Sequence, residues 1–209
     1  GDHRNLHSFP TRRSSDLNKN EVVEFIAAAE NQMKGIDIAI LNAGIGLRES
    51  YLDCKVENFH KIFDVNYFGM INCLEVIIPK MLAKKSGIIV GISSLADARG
   101  IPGNSIYCSS KAAISHVLEA ARIELEPHNI KVISVKPGFV KTNLTSNSNA
   151  YMPFIMSPDA AAKIIVDKII RGKERISFPL PLSFLSKLGK IVPDGLYESI
   201  IKFWKRNPI

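Results

Sequence analysis

The chain has 209 residues, of which 46% are hydrophobic and 22% are charged, and its formal net charge is +7 at pH 7. This length and composition are typical of one globular domain with a sizeable core, which excludes a disordered or fibrous chain. The basic excess lies in residues 163–209, with ten basic against four acidic residues, and because no basic stripe with interleaved aromatics accompanies it, we expect no nucleic-acid partner.

The cysteines predict no metal centre. Cys54, Cys73 and Cys108 are odd in number and lack metal-ligand spacing, so we expect reduced thiols in a cytoplasmic protein. We also expect no secretory signal and no membrane span, because no apolar run approaches the length of about 18 residues that a span needs.

Residues 1–17 are expected to be a non-native, disordered tail, since they show no apolar periodicity. All of them except Asn5 match the translation of a common short-read sequencing adapter, and they are left out of the fold. We expect the domain proper at 18–180, with 181–209 as its C-terminal helical cap.

Helical and strand patterns then alternate along the chain. Helices are predicted at 20–34, 56–84, 104–126 and 157–171, strands at 36–41, 88–92, 129–135 and 175–178, and two short amphipathic helices within 182–206. This alternation predicts an α/β fold with a parallel sheet and helices on both of its faces.

Polar or small residues follow three of these strands. They are Asn42-Ala43-Gly44, the pair Ser93-Ser94, and Pro137-Gly138 with Thr142 a few residues later. The carboxyl ends of parallel strands share one edge of a sheet, which is where ligands bind. Each group alone is equally consistent with an ordinary turn.

Two predicted helices also carry polar side chains. Tyr107 and Lys111 are four residues apart, which places both on one helix face. Asn66 lies mid-helix among apolar residues, where an amide is costly to bury; by itself it would be a hydrogen-bonded core residue.

Taken together, the set resembles the signature of the short-chain dehydrogenase/reductase family. Ser94, Tyr107 and Lys111 match its catalytic residues, and the thirteen-residue interval to Tyr107 favours Ser94 over Ser93. The resemblance implies a Rossmann-like, doubly wound parallel sheet and a tyrosine that exchanges a proton with the substrate oxygen. The Lys111 ammonium is expected to lower the Tyr107 pKa, Ser94 to hold the same oxygen, and Asn66 to order a water that relays protons.

The resemblance also implies a cofactor site for NAD or NADP. Its expected residues are Asn42, Ala43, Gly44, Tyr107, Lys111, Pro137, Gly138, Val140 and Thr142. The family's TGxxxGxG phosphate loop does not occur in this sequence, so we expect the first βαβαβ portion to be missing. The chain as written is then expected to be impaired, with 36–41 as an exposed edge strand.

The implied reaction is hydride transfer between a nicotinamide and a carbonyl or secondary alcohol, with an apolar or acyl-chain small-molecule substrate. A homodimer or homotetramer through the two long helices is expected by resemblance. For 182–206 we favour a cap over the substrate cleft to a membrane-surface contact. The alternative is a non-catalytic family member that binds or regulates; loss of Tyr107 or Lys111 would mark it, and both are present.

Overall fold

The computed structural model describes residues 18–146 and 152–206. The strands are β1 (Ile38–Leu41), β2 (Gly87–Ile92), β3 (Ile130–Pro137) and β4 (Arg175–Phe178). The helices are α1 (Lys19–Met33), α2 (Val56–Phe63), α3 (Gly69–Lys84), α4 (Ser105–Leu125), α5 (Asn143–Ser146), α6 (Pro158–Ile170), α7 (Leu180–Ile191) and α8 (Asp194–Arg206). The predicted tail 1–17 and part of the loop before α6 lie outside the described residues.

The four strands form one parallel sheet in the order β1-β2-β3-β4. Ile40 lies opposite Val90, and Val90 lies opposite Ile133. Within the described ranges β1 pairs on one side alone, and Ile40 is 56% exposed. The predicted parallel sheet is confirmed, and β1 is its open edge.

Helices cover both faces of the sheet. On one face, α1, α3 and α4 pack over Ala39, Ile89 and Val132. On the other face, α6 packs over Val90 and Val135. This second layer lies over β3 and β4, which leaves the side chains of β1 on that face exposed.

The predicted helix 56–84 is interrupted. A π-helical turn, Asp64–Phe68, separates α2 from α3, and Asn66 lies within it. The whole helical run Val56–Lys84 is, among the described residues, long and apolar enough to cross a membrane. That corrects the expectation that no segment has this property. Within the run, Leu74 and Ile77 are buried in the core that lies on the sheet.

Close packing and a buried guanidinium fix α4 on the sheet. A Cβ added at Gly91 would lie 2.4 Å from the Leu118 side chain, so the helix lies directly on β2. The Arg122 side chain donates to the Val132 carbonyl at 2.8 Å and to the Ser134 hydroxyl at 3.0 Å. The N-terminal half of α4 is thereby held beside the carboxyl ends of β2 and β3.

Candidate active site

The predicted groups meet at the carboxyl edge of the sheet. Asn42 follows β1, Ser94 follows β2, and Gly138 follows β3, and these three strands are neighbours. A Cβ added at Gly44 would lie 3.3 Å from the Lys111 amine. The loop after β1 therefore lies directly against the side chains of α4.

Ser94, Tyr107 and Lys111 are brought together. The Ser94 hydroxyl is hydrogen-bonded to the Tyr107 phenol, and the Lys111 Nζ lies 5.7 Å from the centre of the Tyr107 ring. Ser94 is buried, accepts a hydrogen bond from the Ala96 backbone N–H at 3.1 Å and begins a short 3-10 turn. The arrangement places two hydroxyls and one amine around a single point at the sheet edge.

The electrostatics differ from the expected activation of tyrosine by lysine. Burial of the hydroxyl raises the pKa of Tyr107, and the hydrogen bond from Ser94 offsets this in part. Burial also lowers the pKa of Lys111 to about 8, and its amine donates to the Ile92 carbonyl at 3.0 Å. The amine is thus directed to the backbone of β2, and the phenol stays protonated near neutral pH.

Asn66 ties the loop after β1 to α4. Its Oδ1 accepts from the Ile45 N–H at 2.7 Å, and its Nδ2 donates to the Ile45 carbonyl and the Ser110 hydroxyl, each at 3.0 Å. Ser110 in turn donates to the Tyr107 carbonyl at 2.8 Å. Both Asn66 and Ser110 are fully buried, so the amide organises the site through its side chain.

A buried polar chain behind the site was not predicted. The Ser93 hydroxyl donates to the Lys111 carbonyl at 2.9 Å and lies 2.8 Å from the Ser115 hydroxyl. Ser115 donates at 2.6 Å to Asp97, which also pairs with Lys136. Of these residues, only Ser93 was a candidate from the sequence, as the alternative to Ser94. In the structure the Ser93 hydroxyl bonds to the backbone of α4 instead.

The loop after β3 is shaped by Gly138 and Thr145. The Gly138 N–H donates to the Phe178 carbonyl at 2.7 Å, and a Cβ added there would lie 2.9 Å from Leu182 of α7. The Thr145 hydroxyl donates to the Val140 carbonyl and accepts from the Thr142 N–H, both at 2.9 Å. The Thr142 side chain is exposed, and Thr145 is a further residue that sequence reasoning missed.

The C-terminal helices contact the loop that follows Ser94. The Ser186 hydroxyl of α7 donates to the Leu95 carbonyl at 3.1 Å, and the Tyr197 hydroxyl of α8 donates to the Gly100 carbonyl at 2.8 Å. Arg99 lies over the Tyr197 ring at 4.4 Å. These helices therefore lie beside the candidate site. Across the described ranges, no group of three His, Cys, Asp or Glu side chains could hold a metal.

Comparison with known proteins identifies similar sequences. A family model described as short chain dehydrogenase matches residues 13–152. An uncharacterized oxidoreductase of Myxococcus xanthus is 34% identical over 177 residues, which cover 85% of this chain and 70% of the relative. Against seven further curated relatives, the match with this chain covers 35% to 54% of the relative's own length.

Solved structures share the fold. A short-chain dehydrogenase from Burkholderia cenocepacia in complex with NADP superposes with a TM-score of 0.72 at 24% identity, covering 93% of this chain and 78% of that one. ElxO with NADP bound has a TM-score of 0.59 at 29% identity, and the match covers 61% of this chain and 52% of the ElxO chain.

Proposed function

Because the chain belongs to the short-chain dehydrogenase/reductase family of oxidoreductases, we propose that its site interconverts a carbonyl and a secondary alcohol, with Tyr107 as the acid/base. The observation that carries this proposal is the placement of the buried Lys111 amine 5.7 Å from the centre of the Tyr107 ring, with the buried Ser94 side chain close enough to lower the Tyr107 pKa. A phenol that burial keeps protonated near neutral pH is in the acid form, ready to give its proton to a substrate oxygen. Ser94 holds the same oxygen and orients it.

The residues present fit a nicotinamide cofactor, NAD or NADP. The Lys111 amine carries three donors, of which the Ile92 carbonyl takes one, so donors remain for the ribose hydroxyls. Asn42, Ala43 and Gly44 bring a small-residue backbone to the same edge, and the proposed set continues through Pro137, Gly138, Val140 and Thr142. When bound, the nicotinamide supplies or accepts the hydride.

Asn66 has a proposed role in proton supply. Its side-chain amide is already bonded to Ile45 and Ser110. Asn66 therefore orders a water indirectly, by holding in place the loop after β1. We propose that this water and the Lys111 amine return protons to Tyr107. The cost of burying Asn66 is met by its three hydrogen bonds.

The substrate proposed is an apolar or acyl-chain carbonyl compound. A Cβ added at Gly46 would lie 3.3 Å from the Leu144 side chain and 3.7 Å from the Tyr107 ring, so leucine and tyrosine flank one glycine. Leu182 lies against Gly138 on the other side. An approach lined by leucine side chains favours a hydrocarbon next to the carbonyl over a sugar or polyol.

Because no TGxxxGxG phosphate loop occurs in this sequence, the test uses the protein with such a segment fused before Asn18, and it follows NAD(P)H oxidation at 340 nm with a panel of ketones and 3-oxoacyl thioesters. Tyr107→Phe should lower kcat by about a hundredfold or more, the scale of a lost general acid, while nucleotide binding measured by calorimetry is retained. Tyr51→Phe, at an exposed tyrosine of the same type, is the matched control. Unchanged turnover in Tyr107→Phe would refute the assignment.

We also propose a homodimer or homotetramer formed through the long helices. Phe68 beside α3 and Ile123 on α4 are 53% and 69% exposed, and they offer apolar contacts there. We also propose a location in the reducing cytoplasm, which the odd number of cysteines in the sequence supports. Sedimentation of the protein with and without Ile123→Lys tests the assembly.

A further inference from the structure

Helix α7 is oriented with its apolar stripe outward. Toward the domain it places three small residues and one leucine: Ser183 is buried, Ser186 bonds to Leu95, Gly189 lies beside Arg99, and Leu182 lies against Gly138. A stripe of large side chains is exposed: Leu180, Phe184, Leu188 and Ile191, spaced by four, four and three residues, are 78%, 70%, 41% and 77% exposed. An exposed apolar stripe of this kind is typical of a surface that binds another molecule or a membrane.

Helix α8 shows the same arrangement. Tyr197 and Ile201, four residues apart, are half-buried toward the domain, and the Tyr197 hydroxyl bonds to Gly100. The exposed large side chains are Leu196, Ile200, Phe203 and Trp204, at helical spacing on the other side. The two consecutive helices thus expose nine large apolar side chains, of which eight form the two stripes and the ninth, Leu185, lies beside the first stripe.

The charges around these stripes identify an anionic surface as the occupant. Helices α7 and α8 together contain five basic residues against two acidic ones, Asp194 and Glu198. The Lys190 amine lies 3.9 Å from Asp97 and the Lys202 amine 3.2 Å from Glu198, and the net charge of the two helices is positive. Lys187 is exposed on the same helix as the stripe, and Trp204 stands at the last turn of α8 next to sequence-adjacent basic residues. Pairing two copies through these stripes would bring like charges together, whereas anionic lipid headgroups complement them.

We propose that α7 and α8 dock the protein on an anionic lipid surface, with the apolar stripes inserted among the acyl chains and the lysines at the headgroups. Interfacial helices have this combination of large apolar side chains, tryptophan and lysine. The proposal does not depend on the catalytic assignment. Because both helices contact the loop after Ser94, docking would bring the candidate site to the lipid boundary.

The test uses the full chain and vesicles of two compositions. One is phosphatidylcholine alone, and the other contains about 30 mol% phosphatidylglycerol. Trp204 is the single tryptophan of the sequence and is half exposed, so insertion should shift its emission to shorter wavelength. We expect cosedimentation and this shift with the anionic vesicles, both weakened when salt rises from about 0.05 M to about 0.5 M.

Variants separate insertion from non-specific adhesion. Phe184→Ser with Ile191→Ser should weaken binding to anionic vesicles by about tenfold or more, and Lys187→Gln should weaken it less and only on the anionic vesicles. Ile170→Ser, at a similarly exposed apolar residue of α6, is the control and should bind like the parent. All of these residues are exposed, and circular dichroism melting checks that each variant folds.

Three results would overturn the proposal. They are no binding to the anionic vesicles, equal binding of the double variant and the Ile170→Ser control, or an unshifted Trp204 emission in the bound state. A concentration-dependent dimer that the double variant abolishes, in protein without vesicle affinity, would assign the stripes to a second copy instead.

Discussion

Replacing Lys111 with methionine should stabilise the fold at neutral pH. The Lys111 side chain is buried, and burial lowers its pKa from 10.5 to about 8. At about 1.4 kcal/mol per pH unit, this difference means that the charged amine costs the folded state about 3 kcal/mol. Methionine removes the charge but leaves the Ile92 carbonyl without its donor, at about 1 kcal/mol. The net gain expected at pH 7 is about 2 kcal/mol.

The gain should depend on pH in a defined direction. Below pH 8 the amine is protonated in the folded and unfolded states, so the cost is fully present. Between pH 8 and 10.5 the unfolded chain binds more protons than the folded one, so the parent protein gains stability as pH rises. The advantage of Lys111→Met should therefore shrink from pH 8 upward, vanish at about pH 9.5 and reverse above it, because the lost hydrogen bond then outweighs the remaining cost of the charge.

Urea unfolding followed by circular dichroism at pH 7, 8, 9 and 10 measures both effects. A gain of about 2 kcal/mol corresponds to a Tm increase of about 4–8 °C for a chain of this size. Lys163→Met on α6 replaces an exposed lysine and should show no comparable gain. If Lys111→Met is less stable than the parent at pH 7, or if its pH dependence matches that of the parent, burial of the amine is not the dominant cost.

Three further changes test other parts of the molecule. Gly91→Ala should cost about 2 kcal/mol, because its Cβ would overlap a leucine of α4, whereas Gly100→Ala enters open space and should be near neutral in thermal melts. Asp97→Asn should lower stability by about 2 kcal/mol, because Lys136 loses its buried partner. Adding Lys136→Met should recover part of the lost stability, and equal melting temperatures of the single and double variants would contradict this. Ile40→Lys on the open edge strand should change stability by less than about 0.5 kcal/mol and reduce self-association seen by light scattering.

The parallel sheet could be predicted from the sequence, and so could the neighbouring positions of Tyr107 and Lys111 on one helix, because each depends on local periodicity or spacing. Ser157 illustrates this, since its hydroxyl accepts from the Ala160 N–H at 3.2 Å at the start of α6, as a capping serine should. The π-helical turn around Asn66 was not predictable in the same way. It accompanies hydrogen bonds to Ile45 and Ser110, 21 and 44 residues away, and such partners are known only once the chain is folded.

The pKa values of Tyr107 and Lys111 could not be predicted from the sequence either, because they too depend on how the chain folds. Four-residue spacing places Lys111 and Tyr107 on one face of α4, and that was sufficient to expect a lysine that lowers the tyrosine pKa. The direction of each pKa shift is set by burial, and the sequence pattern does not show which side chains are buried. The Tyr107 hydroxyl and the Lys111 amine both lose contact with water on folding, so the neutral form of each is favoured.

The C-terminal helices show how a correct periodicity leaves the orientation of a helix open. Leucines at helical spacing in 182–206 predicted a cap over the substrate cleft, but that pattern does not tell which face of each helix lies on the domain. In the structure Ser183, Ser186 and Gly189 of α7 lie toward the domain together with Leu182. Most of the large side chains of the helix are exposed. Helix α7 thus contacts the loop that follows Ser94 with one face and exposes an apolar stripe on another, because the contacts that orient it come from distant parts of the chain.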